Sequence, residues 1–119
     1  MADPLTLQAR RVDISDSHDA VQDFYWQQGW TDRLPVVPAT EGLVRRMLSG
    51  YGEDPALSLG VIQPRNARVT LEKVAINAVM ACCLPEYFPV VVAAAKAVLQ
   101  EEFNVAGVSS STRGAAPVI

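Results

Sequence analysis

Apolar residues recur at helical spacing in the first half of the chain. We expect a helix over residues 18–28, with Ser17 as its N-cap and Gly29 at its end. A second helix is expected after Thr40, its N-cap, and should run to about Ser49. In both segments the apolar residues lie three or four positions apart, which places them on one face and predicts that this face is buried.

A third helical segment is apolar on almost every face. It is expected from Leu71 to about Cys83, with Thr70 as its N-cap. A helix of this kind normally lies in the centre of a domain. A further helix is expected over residues 90–99, with Pro89 in its first turn, where proline is tolerated.

Extended segments are expected between these helices. Residues 57–62 fit a strand, and residues 63–68 fit a polar connection to the next helix. Residues 34–38 read as a short extended segment, and the two prolines in it suit the edge of a sheet. Residues 105–111 also fit a strand, which leads into a turn.

The chain ends on an apolar stretch, residues 115–119, that resembles the opening of a strand. Because a strand needs partners for its backbone groups, we expect a fold that is incomplete without a second polypeptide chain. This fold is of the α/β or α+β class, with about four helices and a few short strands. Residues 1–15 are expected to form an N-terminal arm, and residues 16–119 a single domain, the N-terminal half of the shared fold. The second chain is either a separate subunit or the product of a proteolytic cut after Ile119; a frayed end of a complete protein is the alternative.

Composition and charge exclude several classes of protein. The 119 residues are enough for one domain with a modest core. The net charge is −3 and most arginines are scattered, so there is no electrostatic case for binding nucleic acid. The N-terminus has no apolar core of a secretory signal, and the longest apolar stretch, residues 88–99, is too short to span a bilayer. The cytoplasm is therefore the default location, and no membrane partner is expected.

The cysteine and histidine content predicts neither a disulfide nor a zinc site. Cys82 and Cys83 are adjacent, and the eight-membered ring of a disulfide between neighbours is strained. One histidine and no C-x-x-C motif leave no recognisable metal site. The pattern indicates no particular cofactor.

Two long motifs make the chain similar to a bacterial family. Residues 29–40 read GWTDRLPVVPAT, and residues 72–91 read EKVAINAVMACCLPEYFPVV. Together they resemble a family whose members are associated with thioredoxin-like or selenoprotein-like partners that bear a (seleno)Cys-Gly-Ser-Cys motif. The resemblance covers about residues 25–119, and it implies that longer relatives continue into a second half rich in Gly and Asn. Where this family has Gly, the chain has Cys82, and Cys83 falls on the family's Cys position.

Glu72, Lys73 and Asn77 are the catalytic candidates on the central helix. Lys73 and Asn77 lie one turn apart, on one side of a helix that is otherwise apolar. A buried Lys loses solvation and becomes available as a base or nucleophile, with Asn77 orienting a substrate carbonyl. The alternative is structural: Glu72 stabilises the helix N-terminus, Lys73 extends to the surface, and Asn77 satisfies a backbone group.

Two polar loops are candidate substrate-binding sites. Trp30, Asp32 and Arg33 combine an aromatic ring, a carboxylate and a guanidinium; the alternative is that Asp32 makes an Asx turn while Trp30 packs on the core. Arg65 and Arg68 precede the central helix, whose first N–H groups together with two guanidiniums suit an anion such as a carboxylate or phosphate. A solvated polar loop is the alternative for this second cluster.

Hydroxyl and thiol groups give two further candidates. Thr112 follows a run of serines and is a candidate for binding substrate in a site that the partner chain completes; a plain polar turn is the alternative. Cys83 is expected near a helix C-terminus, where the helix dipole opposes a thiolate. An inert core cysteine is therefore favoured over a redox or nucleophilic thiol.

These observations lead to one functional hypothesis and one alternative. The hypothesis is a subunit of a heteromeric enzyme, a hetero-oligomer that acts on a small-molecule substrate at a site between the two chains. If a cut after Ile119 is autocatalytic, the new N-terminal residue of the second chain is a natural nucleophile, which favours a hydrolase or lyase. The alternative is a non-catalytic structural or regulatory subunit that supports a thiol- or selenol-bearing redox partner.

Overall fold

The computed structural model describes residues 5–110 of the chain. Within this range it contains two 3-10 helices, at Pro85–Tyr87 and Glu101–Phe103, a two-stranded antiparallel sheet and five α-helices. The described part of the chain is therefore of the α+β class, one of the two classes expected. Thr112 and the apolar residues 115–119 lie outside the described residues. The α-helices and strands are, in chain order, α1 (His18–Gln27), α2 (Glu41–Ser49), β1 (Ser58–Ile62), β2 (Ala67–Thr70), α3 (Leu71–Met80), α4 (Phe88–Val98) and α5 (Val105–Ser109).

Side-chain caps begin three of the helices, as the sequence predicts. Ser17, Thr40 and Thr70 each accept a hydrogen bond from the backbone N–H three residues later, at 3.3–3.4 Å. Each cap supplies an acceptor that the first helical turn lacks. The starts of α1, α2 and α3 are therefore determined by local chemistry that the sequence displays.

Cys82 lies just after the end of α3, in a backbone conformation that favours glycine. Its φ is 63°, and the N–H groups of Cys82 and Cys83 donate to the carbonyls of Val79 and Ala78, both at 2.9 Å. This pair of hydrogen bonds is the Schellman motif, whose left-handed position is usually Gly because a Cβ there crowds the backbone. The helix itself ends at Met80, three residues before the expected end.

Replacing Cys82 by glycine should stabilise the fold by about 0.5–1 kcal/mol, because the crowding disappears while the capping hydrogen bonds stay. Urea denaturation would measure the change in the free energy of unfolding. Cys82→Ala is the matched control, since it removes the thiol but keeps the Cβ, and it should change stability by less than about 0.5 kcal/mol. Equal stabilisation by both substitutions would assign the effect to the thiol and contradict the backbone explanation.

The strand β2 corrects the expectation of a polar connection over residues 63–68. Arg68 pairs with Val61 in an antiparallel ladder, and Ala67 pairs with Ile62. The strand has one large apolar residue, Val69, and its first two residues are exposed. No alternation of apolar and polar residues therefore marks it in the sequence.

Two other extended segments differ from expectation. The expected strand over residues 105–111 is wrong for 105–109, which form α5, because the Asn104 side chain caps this helix by accepting from the N–H of Gly107 at 3.3 Å. Residues 34–38, which were expected to form an extended segment at a sheet edge, belong to no sheet among the described residues. Instead the Gln22 side chain pairs with both the N–H and the carbonyl of Val36, at 3.3 and 3.0 Å.

The core lies among α2, α3 and α4. The helix α3 contacts both of the others, as predicted for a helix that is apolar on almost every face. The helix α1 lies outside this core, although its Val21 and Tyr25 are buried. None of the helices between residues 5 and 110 is long and apolar enough to cross a membrane. The buried residues of the core are Val44, Met47, Leu48, Leu71, Ala75, Ala78, Val79, Phe88 and Val92.

Candidate functional site

A cleft of about 800 Å³ separates α1 and the N-terminal arm from α2 and α3. Side chains from three helices and from the loop after α1 give it an apolar and aromatic wall, while the arm and the helix starts supply polar groups. This combination is typical of small-molecule sites. The apolar wall includes Val21, Phe24, Tyr25, Trp30, Val44, Ile76 and Met80. The polar groups include Arg10, Arg11, Asp13, Asp16, Glu41, Glu72 and Asn77.

Trp30 is held at the cleft by the way α1 ends. Gly29 adopts φ 70°, and the N–H of Trp30 donates to the carbonyl of Tyr25 at 3.0 Å, which is again the Schellman arrangement. The turn brings the indole against two rings of α1, with centroid distances of 5.7 Å to Phe24 and 5.4 Å to Tyr25. Part of the indole stays exposed, so Trp30 has a free aromatic surface beside the cleft.

Glu72 joins α3 to the arm. Its side chain is buried, and its carboxylate accepts hydrogen bonds from the N–H of Gln8, at 3.0 and 3.1 Å, and from the N–H of Ala9, at 2.9 Å. Because both carboxylate oxygens are engaged by the arm, Glu72 is better placed to position the arm than to react with a substrate. It also lies in the first turn of α3, where the helix dipole favours a negative charge.

Lys73 and Asn77 do not form the buried pair that the catalytic hypothesis requires. Lys73 is exposed, and its Nζ donates to the carbonyl of Arg68 on β2 at 2.9 Å, outside the cleft. This contact corrects the expectation of a desolvated lysine and agrees with the alternative of a side chain that extends to the surface. Asn77 is exposed at the cleft, and its Nδ2 donates to the carbonyl of Lys73 at 2.8 Å.

The loop after α1 places its charged residues away from the cleft. Asp32 accepts from the N–H of Leu34 at 3.1 Å, which is the Asx turn considered as the alternative. The Arg33 guanidinium lies 4.3 Å from the centroid of the Trp26 ring. Of the three residues proposed as one binding loop, only Trp30 lines the cleft.

The groups expected to bind an anion before α3 are mostly engaged in hydrogen bonds within the protein. The first two N–H groups of α3, from Leu71 and Glu72, donate at 2.9 Å to backbone carbonyls of the segment before β1, and the third, from Lys73, donates to the Thr70 cap. Arg68 donates from Nη2 to the carbonyl of Ala56 at 3.3 Å, so it too is used within the protein. Arg65 is exposed in the turn between β1 and β2.

Sequence reasoning missed the helical stripe that faces the arm. Glu72, Ile76 and Met80 line the cleft and follow each other at intervals of four, so they lie on one face of α3. This periodicity is visible in the sequence, but nothing in it shows that the arm crosses there. At Glu72 the arm binds through the backbone N–H groups of Gln8 and Ala9, and a contact of this kind leaves no trace in side-chain identity.

Metal-ligating and thiol groups do not form a site in the described range. No group of three or more His, Cys, Asp or Glu side chains between residues 5 and 110 is arranged to hold a metal ion. Cys82 is exposed and Cys83 is half-buried, and both are free thiols.

Comparisons with protein-family models, with curated proteins and with solved structures find no match for this chain. The similarity to a bacterial family with thiol- or selenol-bearing partners therefore stays a prediction. The function of the cleft rests on its own geometry and chemistry.

Proposed function

We propose that this chain is the substrate-binding subunit of a heteromeric enzyme and that the cleft beside Trp30 holds part of a small molecule. The observation that carries the proposal is a cleft of about 800 Å³ that combines an aromatic and aliphatic wall with polar groups from the arm and the helix starts. Sites for small organic ligands typically measure roughly 300–1,000 Å³ and have this composition. The exposed part of the Trp30 indole offers a surface on which a planar group can stack.

The reactive groups available in the cleft support a role for a second chain in the chemistry. Among the described residues that line the cleft there is no Cys, Lys or His. The Glu72 carboxylate is engaged by the arm, Glu41 is ion-paired with Arg11 and Arg45, and the other carboxylates of the cleft are those of Asp13 and Asp16 on the arm. A cleft of this kind binds a substrate and offers carboxylates as general bases, but no thiol, amine or imidazole from the described residues to act as a nucleophile. In the proposed enzyme, the reacting groups come from the partner chain.

Exposed apolar surface gives independent support for a partner. Leu84, Tyr87 and Val90 are 50, 55 and 69% exposed around the start of α4. Large apolar residues that cluster on a surface often mark a protein interface. Within residues 5–110 the sheet has two strands, so β1 and β2 each have one edge available for pairing.

The proposal is tested by purifying a tagged copy of the full chain from its native host. We expect a second polypeptide at fixed stoichiometry, and we expect this complex to consume at least one component of a metabolite extract, as measured by mass spectrometry. The isolated chain should leave the extract unchanged. Turnover by the isolated chain, or purification without any stoichiometric partner, would contradict the assignment as a binding subunit.

In the same complex, Trp30→Ala should raise KM about tenfold with a smaller effect on kcat, because it removes a stacking surface worth about 1–1.5 kcal/mol. Trp26→Ala is the matched control, since Trp26 is 43% exposed against 48% for Trp30 but does not line the cleft. The control should leave KM within about twofold. Equal effects of the two substitutions would place the substrate elsewhere.

A further inference from the structure

The contact between Glu72 and the arm is unusual for a glutamate. Its side chain is 5% exposed, and a glutamate is rarely this buried without a partner. Here the partners are two backbone N–H groups, of Gln8 and Ala9, that lie more than sixty positions away in the chain. Hydrogen bonds between a carboxylate and N–H groups are stronger than neutral ones, so this contact dominates the attachment of the arm at this point.

Leu5 and Leu7, at the start of the arm, pack against the core, but the part of the arm that follows Ala9 is weakly held. Residues 8–15 have no regular secondary structure and are exposed, including Val12 and Ile14, which are each 40% exposed. Arg11 forms an ion pair with Glu41 at 3.2 Å, but both side chains are largely in solvent, where such pairs contribute little. At its start, the arm is tied again by the carbonyl of Leu5, which accepts from Arg45 at 2.7 Å.

The arm leads into α1, and this helix packs outside the main core. Its buried residues Val21 and Tyr25 are not part of the cluster formed by α2, α3 and α4. Side chains of α1 are hydrogen-bonded mainly to the segment before α2: Gln22 pairs with Val36, and the Tyr25 hydroxyl accepts from the N–H of Ala39 at 3.1 Å. The cleft lies between α1 and the core.

We propose that the arm is a strap that closes the cleft and that Glu72 is the residue that holds it shut. Release of the Gln8 and Ala9 N–H groups from Glu72 frees residues 8–15, while Leu5 and Leu7 stay attached to the core; it thereby loosens α1 and opens the apolar wall of the cleft. The gating of a substrate rests on the function proposed above, whereas the strap is a property of the chain alone. Its test therefore needs no ligand and can fail independently of the enzyme assignment.

The test is amide hydrogen exchange, followed by NMR and mass spectrometry, on the full chain and two variants that break the contact from opposite sides. Glu72→Gln presents an NH2 group to one of the arm's donors, and Ala9→Pro removes a donor without touching the core. In both variants, amide exchange in α1 should accelerate about tenfold, while the amides of α2, α3 and α4 should exchange as slowly as in the parent chain. In Glu72→Gln, exchange of the Gln8 amide should accelerate about tenfold as well. Val12→Pro is the matched control, because no acceptor among the described residues binds the N–H of Val12.

Three exchange results would overturn the proposal. The first is unchanged exchange in α1 in both variants, and the second is an equal acceleration across α2, α3 and α4, which would make Glu72 a support of the whole fold. The third is the same acceleration in Val12→Pro as in Ala9→Pro.

As a second measurement, the fluorescence of anilinonaphthalene sulfonate should rise severalfold with the two contact-breaking variants, since the dye binds exposed apolar surface. Fluorescence equal to that of the parent chain would also count against an opened cleft.

Discussion

Replacing Phe88 by alanine should lower the free energy of unfolding by about 3–5 kcal/mol. Phe88 begins α4, has no exposed surface, and its ring meets that of Tyr51 edge-on at a centroid distance of 5.5 Å. The substitution leaves a cavity in the core that α4 shares with α2 and α3, and well-packed neighbours fill such a cavity only in part. Domains of this size are stable by about 5–15 kcal/mol, so the variant should be close to unfolding.

Urea denaturation followed by circular dichroism measures this loss. Tyr87→Ala is the matched control, because Tyr87 is the adjacent aromatic residue and is 55% exposed. The control should change the free energy of unfolding by less than about 1 kcal/mol. If Phe88→Ala also costs less than about 1 kcal/mol, then α4 does not pack on the core as described.

The helices were predictable because their signals are local. Ser17, Thr40 and Thr70 start α1, α2 and α3 with side-chain caps within three residues of the amides they serve. Apolar periodicity then locates the buried face of each helix without any knowledge of its neighbours. The end of α3 was less predictable, because Cys82 occupies a left-handed position that the sequence would normally mark with Gly.

The strands were less predictable because their signals are not local. The strand β2 is defined by its ladder with β1, and its only large apolar residue, Val69, leaves no alternating pattern. The segment from Val105 to Ser109 has the β-branched residues of a strand, but the Asn104 cap makes it helical. In both cases a contact outside the segment's own periodicity decides the outcome.

The candidate site could also be predicted only in part, because it depends on contacts between distant segments. Of the residues selected from sequence, Trp30, Glu72 and Asn77 line the cleft, and Lys73 lies outside it. Lys73 and Asn77 share a side of α3, but the wall of the cleft depends on where the arm crosses this helix. That crossing is made by the N–H groups of Gln8 and Ala9, which any residue except proline provides.

A second large effect is expected at Gly60, where alanine should cost about 1–3 kcal/mol of folding free energy. Gly60 adopts φ 148°, a conformation that residues with a Cβ rarely reach, at an irregularity of the ladder between β1 and β2. A Cβ there would lie 3.4 Å from the Cβ of Leu99, so the side chain that follows α4 limits any shift of the strand. The measurement is again urea denaturation.

Gly42→Ala makes the same chemical change where neither constraint applies. Gly42 lies in the first turn of α2, and nothing lies within 4 Å of a Cβ added there. Because alanine restricts the unfolded chain and favours the helix, Gly42→Ala should stabilise the protein by roughly 0.5 kcal/mol. Opposite signs for the two substitutions would assign the cost at position 60 to its backbone conformation. A neutral Gly60→Ala would mean that β1 can adopt an ordinary φ there without losing its pairing to β2, and that the hairpin places no special demand on glycine.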